Sequence, residues 1–295
     1  MAAINTNAKP NYSSKNKPVW CPGCGDFGVH AGILKAITEL GLDRSKIAIV
    51  SGIGCSSAMP HVFSTYGVHS LHGRLLPVAT GMKLANEELT VIGAGGDGDG
   101  YGIGVGHLIH SARRNIDITY IVMNNEIYGL TTGQASPTSF VGAKTKSTPF
   151  GSIETPENPL AVAISAGATY VARAFSGEPV HMAEMIKNGI AHKGFSIIDV
   201  FSPCVTFNDF NTYEWYRSRV YKLDGTEHDT GNKVKAFEKA TETDTNGWSK
   251  VPIGLLYRES RPTYSSMDIA SKNGPLVKQA MPSKDVVKGI LEEYR

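Results

Sequence analysis

Asp97 stands between Gly96 and Gly98, and after 25 intervening residues the chain carries the pair Asn124-Asn125. An aspartate flanked by residues without side chains is suited to holding a diphosphate through a divalent cation. Magnesium demands near-octahedral oxygen ligands, including a carboxylate. Bare glycine backbone lets N–H groups approach phosphate oxygens where a helix begins. Asn125 can add a side-chain amide oxygen, and Ile127 a backbone carbonyl, if the strands that end at these two places are neighbours. A competing reading takes Gly93-Ala94-Gly95-Gly96-Asp97-Gly98 as a dinucleotide fingerprint of the form G-x-G-x-x-G. It leaves the second Gly-Asp pair, Gly98-Asp99, and the asparagine pair without a role.

The four cysteines form the second set. Cys21 and Cys24 flank Pro22-Gly23, Cys55 follows Gly52-Ile53-Gly54, and Cys204 follows Ser202-Pro203. Each of the last two sits just after an apolar run. In a reducing compartment such thiols point to metal or redox chemistry rather than disulfides. Four thiolates suit a tetrahedral zinc or a 4Fe-4S cluster, and spacing alone does not separate the two. A third set is His72-Gly73-Arg74, in which the guanidinium could pair a substrate carboxylate through two hydrogen bonds. His61 and His69 read as loop histidines satisfied by backbone groups. His107 and His110, three apart, read as a packed helix face. Lys83 and Glu87-Glu88 read as a solvated helix surface.

These residues need a scaffold that gathers loops. Apolar runs at 47–53, 89–94, 116–123, 170–174 and 195–201 read as buried strands, and 27–40, 105–114, 160–166 and 180–192 have helical spacing. The order strand, Gly-rich turn, helix, strand around Asp97 is a βαβ unit. The expected fold is therefore α/β, a doubly wound, mostly parallel sheet, in which ligands sit outside the carboxyl ends of the strands. The expected organisation is an N-terminal arm over 1–18, a binding domain over 19–207 and an irregular C-terminal extension over 208–295. That extension is polar from 208 to 247 and closes in a helix over 283–294, with Ser283 as its cap.

The segments CPGCGDFG, GIGCSS, HGR, GGDGDGYGIG, NN-x-x-YGLTTGQASPT and SPC occur in this order between residues 17 and 210. Together they closely resemble the β subunit of 2-oxoacid:ferredoxin oxidoreductases, and Asp97 with the asparagine pair resembles the thiamin-diphosphate motif. The resemblance implies the diphosphate-binding domain of a thiamin enzyme. It implies that Cys21, Cys24, Cys55 and Cys204 ligate one 4Fe-4S cluster and that Asp97, Asn125 and Ile127 hold Mg2+. It further implies cofactor contacts at Gly54, Gly96, Asp97, Gly98, Asp99, Asn125, Ile127, Tyr128, Gly129 and Leu130, and a catalytic role for His72 and Arg74. The implied reaction is oxidative decarboxylation of a 2-oxoacid to an acyl-CoA and CO2, with coenzyme A as co-substrate and ferredoxin as electron acceptor. It could also run in reverse to fix CO2.

Two parts of that machinery are not found in this sequence. One is a C-x-x-C-x-x-C-x-x-x-C-P ferredoxin module; the other is the glutamate that contacts the aminopyrimidine, which the family carries on its α subunit. The expected partner is thus an α subunit in an α2β2 assembly, with 208–247 and the N-terminal arm as the wrapping surfaces. The stretch Gly67-Val68-His69-Ser70-Leu71-His72-Gly73-Arg74 looks more like the 2-oxoglutarate branch than the pyruvate branch. Pyruvate as substrate, a non-redox thiamin decarboxylase with structural zinc, and an electron-transfer module without chemistry are the alternatives.

Composition adds exclusions. With 295 residues, 41% of them hydrophobic, the chain can bury a sizeable core. A formal charge of +2 from 29 basic and 27 acidic residues offers no footprint for nucleic acid or an acidic membrane. No apolar run reaches the roughly 20 residues that span a bilayer, and the polar start lacks a signal peptide's apolar stretch, so the cytoplasm is expected.

Overall fold

The computed structural model describes residues 11–294. Ten strands are formed: β1 (Ile47–Ser51), β2 (Tyr66–His69), β3 (Thr90–Gly96), β4 (Thr119–Asn124), β5 (Ile127–Tyr128), β6 (Gln134–Ala135), β7 (Tyr170–Phe175), β8 (Ser196–Phe201), β9 (Val220–Lys222) and β10 (Val251–Arg258). Eight of them make one sheet in the order β2-β1-β3-β4-β8-β7-β10-β9, while β5 and β6 form a small hairpin. From β2 to β7 every pairing is parallel; β10 runs antiparallel to β7 and parallel to β9.

Helices α1 (Gly25–Glu39), α2 (Met59–Val62), α3 (Leu75–Ala85), α4 (Val105–Arg114), α5 (Pro159–Ala166), α6 (Pro179–Ala191), α7 (Tyr213–Arg217), α8 (Lys233–Ala240), α9 (Glu242–Asn246), α10 (Tyr264–Met267) and α11 (Lys284–Glu293) complete the chain. Strand side chains alternate between two cores. Ile47, Ile49, Ile92, Ile121, Ile198 and Val200 pack with α1 and α6, whereas Val50, Val91, Tyr120, Val122 and Ile197 pack with α3, α4, α5 and α8. Burial on both faces explains why these strands read as continuous apolar runs. Local signals set the ends: Pro159 opens α5 behind an Asn158 cap, and Gly167 closes it in the left-handed region at φ +92°.

The sheet does not stop at residue 207. β10 inserts between β7 and β9, and its Leu256 and Tyr257 join the core with Ala236 and Ala240 of α8. The boundary expected at 207/208 therefore does not separate two packed units, although 259–294 carries only short helices and turns beyond the sheet. Ser283 does cap α11, accepting from the Val286 N–H at 3.3 Å. Of the expected arm, residues 1–10 lie outside the described residues. Residues 11–14 pack on this chain's own body: Ser13 bridges to Phe63, and the buried Tyr12 donates its hydroxyl to the Leu42 carbonyl.

Two smaller expectations are corrected. Lys83 is buried, donating to the carbonyls of Glu87 and Leu89 and pairing with Asp117 at 2.8 Å, so it ties the α3–β3 turn to the α4–β4 turn. His107 and His110 lie on the outer side of α4, whose buried stripe is Leu108, Ser111 and Ala112. Among the described residues no helix is long and apolar enough to cross a membrane.

Candidate active site

The adjacent parallel strands β1, β3, β4 and β8 all end at one edge of the sheet, and the chemistry-bearing residues follow those ends. Cys55 comes after β1, Asp97 after β3, Asn125 after β4 and Cys204 after β8. A cleft opens there. Gly54, Cys55, His72, Gly96, Asp97, Gly98, Asp99, Asn125, Ile127, Tyr128, Gly129 and Leu130 line it, so the expected cofactor contacts meet there with Cys55 and His72, whereas Cys21, Cys24 and Cys204 are not among the lining residues. Arg74 is not among the lining residues. It precedes α3, and its guanidinium reaches the Gly73 carbonyl at 3.4 Å.

Asp97 is 2% exposed. Its Oδ2 accepts from the Thr138 hydroxyl at 2.9 Å, and its Oδ1 lies 3.4 Å from the Asn125 N–H. Burial pushes this carboxyl up to about 6, a tendency the Ser136 and Thr138 hydroxyls partly offset. A buried carboxylate short of compensating charge is what a divalent cation would satisfy. Asn125 places its amide oxygen on the Ile127 N–H at 3.2 Å, folding residues 125–127 into a tight turn facing Asp97.

The residues after Asp97 make a π-helical turn over Gly98–Ile103 that leads into α4, a feature not foreseen from sequence. Gly98 is required by its neighbour: a Cβ there would fall 2.1 Å from the Tyr128 ring, whose hydroxyl donates to the Gly98 carbonyl at 3.1 Å. Asp99 turns away from the diphosphate position. Its Oδ1 accepts from the Ile53 N–H at 2.8 Å and the Gly73 N–H at 2.7 Å, stitching the β1 loop and the HGR turn to the π-turn. His72 Nδ1 approaches the same oxygen to 3.1 Å, without the alignment of a full hydrogen bond. Asp99 thus orients the wall through Oδ1, while its Oδ2 is buried against Gly52 without a hydrogen-bond partner.

The cysteine loops are held from several sides. Trp20 donates its indole N–H to the Cys55 carbonyl at 2.7 Å, Cys24 N–H closes on the Cys21 carbonyl at 3.0 Å, and Gly25 N–H donates to the Pro203 carbonyl at 3.2 Å. A side chain at Gly129 would touch the sulfurs of both Cys204, at 3.5 Å, and Cys55, at 3.6 Å. The cofactor-side loop therefore runs close to two of the four thiols. Burial, Asp26 and the neighbouring Cys204 and Cys21 push the Cys55 thiol up to about 12, and Cys24 is raised by burial and by Asp26, Cys204 and Cys55. The thiols thus sense one another. Among the described residues no three Cys, His, Asp or Glu side chains stand close enough to share a single metal ion.

Asp26 is a wall residue that sequence reasoning missed. It sits two residues beyond Cys24, is 1% exposed, and accepts from the Ser202 hydroxyl at 2.8 Å while its other oxygen has no partner. Burial raises its carboxyl to about 6. The only signal in sequence was its place in CPGCGDFG.

Comparison with known proteins agrees with this geometry. Residues 52–200 match the family described as thiamine pyrophosphate enzyme, C-terminal TPP binding domain. Residues 204–271 match the family that describes the C-terminal part of the pyruvate ferredoxin oxidoreductase beta subunit. The 2-oxoacid:ferredoxin oxidoreductase subunit beta of a Sulfolobus species is 46% identical over 279 residues, 91% of this chain and 90% of that one. The 2-oxoglutarate synthase subunit KorB of Methanothermobacter marburgensis is 42% identical, covering 83% of this chain and 84% of its own. Among solved structures, a 2-oxoglutarate:ferredoxin oxidoreductase from Magnetococcus marinus, with 2-oxoglutarate, coenzyme A and succinyl-CoA bound, superposes with a TM-score of 0.88 at 44% identity. The match covers 97% of this chain and 96% of that one. The chain belongs to the 2-oxoacid:ferredoxin oxidoreductase β-subunit family.

Proposed function

We propose that this β subunit binds thiamin diphosphate through Mg2+ on Asp97, Asn125 and the Ile127 carbonyl, carries one 4Fe-4S cluster on Cys21, Cys24, Cys55 and Cys204, and oxidises 2-oxoglutarate with coenzyme A, passing electrons to ferredoxin. The observation that carries this reading is the bare backbone of the diphosphate-side loop at Gly129, where a single added Cβ would reach van der Waals distance of both the Cys55 and the Cys204 sulfur. An electron acceptor held on those sulfurs would lie beside the cofactor. Bound thiamin diphosphate supplies a ring that stabilises carbanion character, and a cluster supplies a one-electron acceptor.

The chain's own residues do the holding. Asp97 brings the negative charge that fixes the cation, and Gly96 and Gly98 open backbone to the phosphates. Tyr128 braces Gly98. His72 lines the cleft with its Nδ1 3.1 Å from Asp99 Oδ1. Leu130, 56% exposed at the cleft, is of the kind of apolar surface an α subunit would cover. That partner would bring the activating glutamate and close an α2β2 assembly by two-fold symmetry. A cytoplasmic setting fits four unpaired thiols.

The substrate assignment follows the KorB and Magnetococcus likenesses and the HGR stretch. A panel of 2-oxoacids on the reconstituted enzyme, read by viologen reduction, tests it. 2-Oxoglutarate should be preferred over pyruvate, because pockets that pair a second carboxylate discriminate strongly against substrates lacking it. A preference for pyruvate would overturn it. Arg74→Lys provides a narrower test. If Arg74 meets a substrate carboxylate in the assembled enzyme, KM should rise about tenfold while kcat changes less than about threefold, since a point charge replaces a two-pronged donor. A loss confined to kcat would instead assign Arg74 to cofactor positioning.

A further inference from the structure

Glu126 lies between Asn125 and Ile127, yet its side chain points away from the cleft. It is 3% exposed and lines a separate internal cavity with Arg173 and Asp199. Its backbone occupies the left-handed region at φ +57°, a conformation glutamate seldom adopts without support. Three contacts supply that support. The Ser139 hydroxyl donates to the Glu126 carbonyl at 2.5 Å, the Asn208 amide donates to the Asn125 carbonyl at 2.9 Å, and the Tyr216 hydroxyl donates to Glu126 Oε1 at 2.6 Å.

Tyr216 itself has little freedom. It is 1% exposed, with its ring stacked on Phe201 at 4.5 Å and tilted against Phe175 at 5.4 Å, the last residues of β8 and β7. A rigid ring holding one carboxyl oxygen fixes the glutamate, and the glutamate fixes the left-handed residue at the centre of the turn.

We propose that Tyr216 and Glu126 form a latch that holds the 125–127 turn in its cation-ligating shape, making Tyr216 a positioning residue for the cofactor; this rests on the reading of Asp97, Asn125 and Ile127 as the Mg2+ site. The latch gives the 208–217 segment a task inside its own subunit, in addition to any contact with a partner. Because Tyr216 touches neither phosphate nor cation, its effect should appear in the Mg2+ requirement for thiamin diphosphate retention, and excess Mg2+ should overcome it.

The test uses the full chain with its α subunit and titrates Mg2+ against thiamin diphosphate binding by calorimetry. Tyr216→Phe keeps the ring and deletes the hydroxyl, so the Mg2+ concentration needed for half-saturation should rise about tenfold with iron content and visible absorbance unchanged, the unpaired Glu126 oxygen lowering the melting temperature only modestly. Glu126→Gln keeps an acceptor oxygen and should bind close to the original chain, while Glu126→Ala should weaken binding at least as much as Tyr216→Phe. The double variant Tyr216→Phe/Glu126→Ala should be no weaker than Glu126→Ala alone, because the two side chains act through one contact. An unaltered Mg2+ requirement in Tyr216→Phe, with binding abolished in Asp97→Ala, would overturn the latch and leave the cation site standing. Normal binding in Asp97→Ala would overturn the cation site itself. A fall in melting temperature and iron content that tracks the binding loss in Tyr216→Phe would also overturn the latch, assigning Tyr216 to general stability.

Discussion

Asp97→Ala is expected to abolish thiamin diphosphate binding, weakening it by more than about 100-fold at any practical Mg2+ concentration, while the iron content of the chain stays unchanged. The carboxylate is the sole acidic group assigned to the cation, and neither Asn125 nor the Ile127 carbonyl brings charge to replace it. Asp99, next but one in sequence, does not substitute, because its Oδ1 anchors the Ile53 and Gly73 N–H groups and its Oδ2 is buried against Gly52. The fold should tolerate the change. The Thr138 hydroxyl, which donates to Asp97, also lies 3.1 Å from the Asn124 amide oxygen and keeps a partner there. Loss of a buried carboxylate that burial already pushes up to about 6 also removes a desolvated charge at neutral pH. Equilibrium dialysis with thiamin diphosphate and an iron assay on the same sample check both halves. Retained cofactor would contradict the motif assignment, and lost iron would show that the two sites cannot be separated.

Cys204→Ala is expected to remove the cluster, lowering iron from about four atoms per chain to less than about one and erasing the visible absorbance of the anaerobically purified protein. Cys204 is the most enclosed of the thiols at 9% exposure, and its loop is joined to the others by backbone. Pro203 accepts from Gly25 N–H beside Cys24, and Ser202 N–H donates to the Asn124 carbonyl at the end of β4. A substitution there leaves three thiols, of which burial already makes Cys24 and Cys55 hard to ionise, and metal binding must draw a proton from each. Intact absorbance would mean that another group completes the site.

Much of the site could be read from residue order because a parallel sheet places every strand's carboxyl end on one edge. If the runs ending at 53, 94 and 123 are strands of one parallel sheet, Asp97, Asn125 and Cys55 gather at one edge, and the pairing of β1, β3 and β4 places those strands side by side. The parts that escaped share a physical reason: they depend on partners far along the chain. Glu126 and Tyr216 are 90 residues apart, and neither carries a local signal of the other. β10 was hidden because Pro252 and Gly254 disguise a strand, and because it follows a polar stretch. Its pairing with β7 begins only at Gly254, beyond the proline, and a bulge between Leu255 and Tyr257 breaks the alternation. Lys83 looked solvated because the carbonyls and the Asp117 carboxylate that receive it come from turns that meet only in the fold. Arg74 shows the opposite failure: its motif was legible, and its position relative to the cleft was not.

The central claim is that this chain is the diphosphate- and cluster-bearing half of a two-subunit enzyme. The direct measurement is 2-oxoglutarate-dependent reduction of a viologen dye by the purified chain, with and without an α subunit, in the presence of thiamin diphosphate, Mg2+ and coenzyme A. Activation of the thiamin at the aminopyrimidine is the step that the proposed function leaves to a carboxylate of the α subunit. The chain alone should therefore hold iron and show no turnover, and adding the α subunit should bring activity that requires both thiamin diphosphate and coenzyme A. Substantial turnover by the chain alone would show that it carries its own activating carboxylate and would contradict the two-subunit account.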